Sequence, residues 1–261
     1  IMKKLILFSA ILTLISCNSS EKKQAEPVHG SEAVLIVNYQ LENMSLEEHA
    51  ELGSAVAPSF VSENVPGLLG KSFIGDVNRG VFGGVYYFEN SESVTTYLDS
   101  ELWKGVVAHP NLVDFKTDVF KTFNGTELAN GLHSSRKTSS DPADTENLHI
   151  LVVNYSYTEA PTDEEMSSQI KEFAPVFSNE NFPGMIGKTM INNTKDKVYG
   201  GVYYFTSRDA IENYFQSDLW KGFEGDENIE IEDKSPVLEN TYITFGSFNN
   251  LSKLSDPLIG L

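Results

Sequence analysis

The chain has 261 residues, 40% of them hydrophobic, and carries 37 acidic against 19 basic side chains, a formal net charge of −18. A surface that acidic repels phosphate backbones, which argues against nucleic acid as a partner. The length suits two domains of ordinary size, each large enough to bury a core.

From the N-terminus, Lys3-Lys4 forms a positive patch ahead of an apolar stretch, Leu5 to Ile15, too short to remain as a bilayer span. Residues 1–16 therefore read as a secretory signal, with Ile1 ahead of Met2 as a misplaced start. Leu14-Ile15-Ser16-Cys17 resembles the lipobox of bacterial lipoproteins. The resemblance implies cleavage before Cys17, a lipidated sulfur, and anchoring to a membrane of the bacterial cell envelope, inner or outer. Cys17 is the single cysteine, so an intrachain disulfide is excluded. Residues 17–30 are polar and read as a tether; residues 125–147, rich in Ser, Thr, Asp and Asn, read as a linker.

Between and after these segments the chain repeats itself. Phe82-Gly83-Gly84-Val85-Tyr86-Tyr87-Phe88 returns as Tyr199-Gly200-Gly201-Val202-Tyr203-Tyr204-Phe205, and Leu102-Trp103-Lys104-Gly105 as Leu219-Trp220-Lys221-Gly222. An offset above a hundred residues is too long for a solenoid and means two copies of one domain, 31–124 and 148–248, followed by a tail, 249–261.

Each copy opens on a short β-branched run, Ala33–Val37 or His149–Val153, which predicts a strand. Ser45-Leu46-Glu47-Glu48 and Thr162-Asp163-Glu164-Glu165 fit the capping box that starts a helix, and Pro58 and Pro175 mark its end. Pro66-Gly67 and Pro183-Gly184 turn the chain into a second strand near Phe73-Ile74 and Met190-Ile191. The Gly-Gly-Val-Tyr-Tyr-Phe run is the third. Asn90 and Ser207 then cap one second helix carrying Tyr97 and Trp103, or Tyr214 and Trp220. A last strand follows, from Val113 to Phe123 and between Ile229 and Phe245. The order is β-α-β-β-α-β, ferredoxin-like.

On the third strand Val85 and Tyr87 face one way, Tyr86 and Phe88 the other, and both faces are apolar. Helices cover only one face, so the other must meet a second layer. The second copy supplies it. The expected fold class is α+β: two tandem ferredoxin-like repeats packed sheet to sheet as an intrachain α/β barrel, neither stable alone.

Asn64-Val65-Pro66-Gly67, a strand, a polar turn, Gly-Gly-Val-Tyr-Tyr-Phe, a capped helix and an aromatic-Leu pair resemble the mono-oxygenases of the YdhR type. These belong to the dimeric α/β-barrel, antibiotic biosynthesis monooxygenase-like superfamily. The resemblance covers nearly all of both repeats. It implies a barrel that relatives build from two chains, and an activity among oxygenases, haem-handling enzymes, isomerases and stress proteins.

Among candidate motifs, Gly67-Leu68-Leu69-Gly70-Lys71-Ser72 and Gly184-Met185-Ile186-Gly187-Lys188-Thr189 suggest a phosphate loop. Only two residues separate the glycines and a strand follows, so they read as turn glycines. Gly83-Gly84 and Gly200-Gly201 read as a bulge, with a close backbone approach as the alternative. By resemblance Asn38 and Asn154 match an Asn on the first strand of haem-degrading relatives, with Tyr97 and Tyr214 where those carry Trp. At their iron-ligand position stand Val107 and Glu224; His109 lies two residues on and reads as a surface residue. His29, His49, His133 and His149 form no metal spacing, so no metal or cofactor is expected.

Tyr39, Tyr86, Tyr97, Trp103, Tyr155, Tyr203, Tyr214 and Trp220 are the aromatic stock for a substrate pocket, with Asn38 and Asn154 as catalytic candidates that orient a substrate oxygen. Such a site suits a small apolar or aromatic, quinol-like compound that reacts directly with O2. The alternatives are a non-catalytic ligand-binding or structural barrel, and a haem-handling protein.

Overall fold

The computed structural model describes residues 31–60, 63–77, 79–122, 149–193 and 195–237. Cys17, the tether, the linker, the tail and the last strand beyond Val237 lie outside these residues. The first repeat comprises β1 (Ala33–Leu41), α1 (Leu46–Val56), β2 (Leu68–Asp76), β3 (Val81–Phe88), α2 (Ser91–Leu98), α3 (Glu101–Val107) and β4 (Leu112–Thr122). The second comprises β5 (His149–Tyr157), α4 (Asp163–Phe173), β6 (Met185–Asn193), β7 (Val198–Phe205), α5 (Arg208–Gln216), α6 (Asp218–Glu224) and β8 (Ile229–Val237).

Both capping boxes form. Ser45 Oγ accepts the Glu48 amide at 3.2 Å while Glu48 Oε2 accepts the Ser45 amide at 2.7 Å. Thr162 and Glu165 repeat the exchange at 3.2 and 2.9 Å. Pro58 and Pro175 then tighten the chain into single 3₁₀ turns, Ala57–Ser59 and Ala174–Val176.

The single second helix expected in each repeat is two. Ser100 Oγ donates to Tyr97 O at 2.6 Å and accepts from Trp103 N at 3.2 Å, closing α2 and opening α3 with one hydroxyl. Ser217 does the same with Tyr214 O and Trp220 N, at the same distances. A serine hydroxyl competes with the helical ladder in this way, and it sets the tyrosine and tryptophan on different helices.

The strands form one eight-stranded antiparallel sheet, β2-β3-β1-β4-β6-β7-β5-β8. The repeats join where β4 meets β6, through Lys121↔Asn192 and Thr122↔Ile191. At the ends of the order β2 and β8 come alongside each other, which closes the barrel. The two faces of β3 and β7 are buried as expected: Tyr86 and Phe88 under the helices, Val85 and Tyr87 inside the barrel. Tyr87 Oη meets Tyr204 Oη at 2.7 Å, and these residues are each other's copies in the repeat. A residue that touches its own equivalent lies on the pseudo-twofold axis. Ser72 Oγ lies 3.3 Å from Tyr204 Oη beside it.

The paired glycines are not a bulge. Strands β1 and β3, and β5 and β7, pair without interruption past them; the register shifts fall instead on β2 between Leu68 and Gly70, on β6 between Met185 and Gly187, and where β1 meets β4 at Asn38–Gln40 and β5 meets β8 at Asn154–Tyr155. A Cβ at Gly83 would overlap the Val37 carbonyl oxygen, and one at Gly200 the Val153 oxygen. The first glycine of each pair thus permits the close approach of two strands.

Candidate functional site

The second glycine of each pair makes room for a lysine. A Cβ on Gly84 would stand 3.1 Å from Lys71 Cε and 2.8 Å from the Tyr86 ring; on Gly201 it would stand 2.7 Å from Lys188 Cε. Pleat alternation sends Lys71 and Lys188 from β2 and β6 to the helix side of the sheet, into the aromatic layer. They are 3% and 7% exposed, among the least exposed polar residues described. Lys71 Nζ lies 3.2 Å from the centroid of the Phe60 ring, 3.8 Å from Phe73 and 4.5 Å from Tyr86. Lys188 Nζ lies 3.9 Å from Phe177 and 4.4 Å from Tyr203.

Neither ammonium has an ion pair or hydrogen bond among the described residues. An unpaired charge taken out of water costs several kcal/mol, whereas ring faces return about 2 kcal/mol. Desolvation wins, and both lysines are held well below the ordinary lysine range. Each repeat therefore buries an unpaired amine whose charged form is disfavoured, enclosed by rings.

The predicted pocket residues gather around these amines. Tyr86 stands 5.4 Å from Tyr97, which stands 5.7 Å from Trp103; Tyr203, Tyr214 and Trp220 match them at 5.5 and 5.6 Å. Burial pushes Tyr86, Tyr97, Tyr203 and Tyr214 above the ordinary phenol range, so all four remain protonated. Tyr39 and Tyr155 pack on the same layer at the far end of β1 and β5.

Asn38 and Asn154 are not with them. Val37 and Tyr39 belong to the helix-side core, so Asn38 between them points into the barrel; Val153 and Tyr155 frame Asn154 likewise. Asn154 Oδ1 is buried without a hydrogen-bond partner among the described residues. The sheet backbone separates the two asparagines from the tyrosines, and one site cannot use both. The phenols inside the barrel are those of Tyr87 and Tyr204, the latter pushed up to about 12 by burial.

Two features escaped the sequence reading. Lys71 and Lys188 sat in a motif dismissed as a turn; its glycines do turn, with φ of +76° at Gly67 and +89° at Gly184, but the lysine after them is the buried base. The available signal was a lysine in the middle of a strand whose two ends are apolar, Leu68-Leu69 and Phe73-Ile74 in one copy and Met185-Ile186 and Met190-Ile191 in the other. His49 was set aside for want of metal spacing. It is 5% exposed, and its Nε2 lies 2.8 Å from Tyr39 Oη. Desolvation, with His109 adding to it, lowers it to about 4, so it is neutral at neutral pH. His109, expected on the surface, is half-buried and accepts the Asn111 amide at Nδ1, 3.3 Å away. A surface cleft of about 440 Å³ over Asp163, Glu164, Ser167, Ser168 and Lys171 lies on the solvated side of α4 and contains none of these groups.

A closed antiparallel barrel with a helix layer outside each half, and a caged lysine in each layer, defines a two-repeat protein of the dimeric α/β-barrel class. The family described as Putative mono-oxygenase ydhR matches residues 34–131 and 150–231, well over half of the chain. The chain belongs to that family. Solved structures agree on the fold. A putative monooxygenase from Fusobacterium nucleatum superposes with a TM-score of 0.52 at 10% identity, covering 82% of this chain and 96% of its own. An anthrone oxidase-like protein gives 0.52 at 11%, covering 82% and 94%. A putative chlorite dismutase, TA0507, gives 0.52 at 12%, covering 82% and 98%. Among curated proteins none matches.

Proposed function

We propose that this protein oxidises a small phenolic or quinol-like aromatic with O2, using the buried lysine of a repeat as base, and that a lipidated Cys17 holds it to the bacterial envelope. The observation that carries the reading is the buried, unpaired amine inside an aromatic shell on the helix side of the sheet. Family membership among mono-oxygenases supports it.

A phenol set against Nζ in place of the Phe60 ring gives its proton to the amine. The resulting ammonium and phenolate attract strongly where water is excluded. The phenolate passes one electron to O2, and the radical pair joins at the ring carbon para to the oxygen. The ammonium returns its proton to the peroxide, and loss of water leaves a quinone. For a phenol with a free para carbon, one oxygen atom enters the product, the other leaves as water and the four electrons come from the substrate; a quinol gives two electrons and leaves O2 as hydrogen peroxide. The ring walls, Tyr86 with Tyr97 or Tyr203 with Tyr214, hold the aromatic flat.

Phe60 already covers the amine at 3.2 Å, and this favours a second reading in which the shell is a filled, non-catalytic barrel or ligand store. An oxygen electrode separates the two. The oxygenase consumes O2 with a panel of quinols and phenols and releases quinone. A panel that binds without consumption leaves the binding reading, and one that neither binds nor reacts leaves the structural one.

A further inference from the structure

We infer that the two repeats have divided the work, and that the first is fitted to quinols because it adds the Tyr39–His49 pair to its caged lysine. This rests on the oxygenase reading above. The retained positions are the lysines, the glycines beside them, Tyr86/Tyr203, Tyr97/Tyr214 and Trp103/Trp220. Four of the differences lie on or near the strip from Lys71 to Tyr39. Met166 stands where the first repeat has His49, Met190 where it has Phe73, Tyr199 where it has Phe82, and Asp226 where it has His109.

In the first repeat His49, carried on α1, meets Tyr39 of β1 edge-on at 5.7 Å and the Phe82 ring of β3 at 4.9 Å. Phe82 and Gly84 are successive positions on one face of β3, and Gly84 is the position against which Lys71 Cε lies. The two basic groups therefore share one face and flank one strip of strand. Tyr39 also feels Tyr86, the ring nearest Lys71 on that strand. Around His49 the ionisable neighbours are Tyr39 from β1 and His109 from the turn after α3.

In the second repeat Tyr155 has no histidine behind it. Its neighbours are Tyr157 at 5.4 Å, Tyr199 at 6.1 Å and Phe223 at 5.0 Å, an aromatic plug whose nearby charges are carboxylates, Asp226 acting on Tyr157 and Asp163 on Tyr199. A para-quinol going to its quinone loses two protons from opposite ends of one ring and two electrons, here to O2, which becomes hydrogen peroxide. The first repeat offers a proton acceptor at each end: Lys71 directly, and Tyr39 passing its proton to His49 as it takes the substrate's. A monophenol needs only the lysine. Tyr39 is thus the residue that touches the quinol's far hydroxyl, and His49 is the positioning residue that makes it basic.

The test compares methylhydroquinone with 3-methylphenol, which has one hydroxyl proton and a free para carbon, by O2 uptake and product analysis on the full chain and on H49M, Y39F, H49Q and K71M. The expected result is a fall in kcat for methylhydroquinone of about a hundredfold in H49M and Y39F, a much smaller fall for 3-methylphenol, and partial rescue in H49Q. K71M loses both substrates. A merely structural histidine would lower both rates together, and that outcome, or an unchanged quinol rate in H49M, overturns the inference. The tryptophans give a readout that does not need turnover, since each repeat contains one and each gives one indole peak in a ¹H–¹⁵N spectrum. Methylhydroquinone should shift the Trp103 peak before the Trp220 peak; equal shifts overturn the division of labour. If no variant or parent consumes O2, the oxygenase reading falls alone, and the order of indole shifts still decides which repeat takes the quinol.

Discussion

Replacing Lys71 by methionine should stabilise the fold at neutral pH, and by an amount that depends on pH. Both buried lysines lie well below the ordinary lysine range because burial disfavours the charged form. Between that lowered folded value and the unfolded value of about 10.4, the unfolded chain binds a proton that the folded chain does not. Stability then rises with pH, by about 1.4 kcal/mol per pH unit for each lysine, or roughly 2.7 for the pair. The other shifted groups leave this window clear. His49, lowered to about 4, contributes its rise only below its unfolded value of about 6.5. The buried tyrosines, raised above 10, lose stability only above that pH. Urea unfolding from about pH 7 to about pH 9, followed by tryptophan emission, should show the parent gaining stability at this slope. In K71M the slope should halve, because methionine fills similar volume and takes up no proton. The reasoning is refuted if K71M keeps the parent slope and is less stable at pH 7, since Lys71 would then be a charged residue stabilised by its rings.

Other outcomes follow from the same geometry. Gly84→Ala should cost about 1–3 kcal/mol, read as a lower urea midpoint, because its Cβ crowds Lys71 Cε and the Tyr86 ring. Tyr87→Phe removes the 2.7 Å hydroxyl contact on the pseudo-twofold axis and should cost about 1–2 kcal/mol, while Trp103 and Trp220 still report one cooperative transition. Cys17→Ala should abolish incorporation of labelled fatty acid and release the protein from membranes; retained label would place the anchor elsewhere.

The fold was legible because it rests on features that sequence displays directly: a long-period repeat, capping boxes, and a strand apolar on both faces that needs a second layer. The site was only half legible. Tyr and Trp in a recurring strand and helix announce a buried aromatic layer, and these residues do lie in one. Their partners were misassigned because the reading placed Asn38 and Tyr39 in one pocket, although adjacent strand residues face opposite ways. Lys71 was missed for a different reason. Lysine is almost always solvated, and only tertiary packing, with Gly84 opening a slot and Phe60 arriving from the turn after α1, takes its amine out of water. The helix break at Ser100 and Ser217 had a visible cause, a serine between two short amphipathic segments, and competes with an equally plausible continuous helix.

The most direct test of the central claim is the spectrum of 4-nitrophenol added to the full chain, buffered about one pH unit below its own ionisation midpoint, where the free compound is mostly neutral. If Lys71 and Lys188 are neutral bases in an aromatic shell, the bound compound shows the phenolate band in proportion to protein, and the band vanishes in K71M/K188M. A bound compound that keeps the neutral phenol spectrum, or a phenolate band that survives the double substitution, contradicts the account.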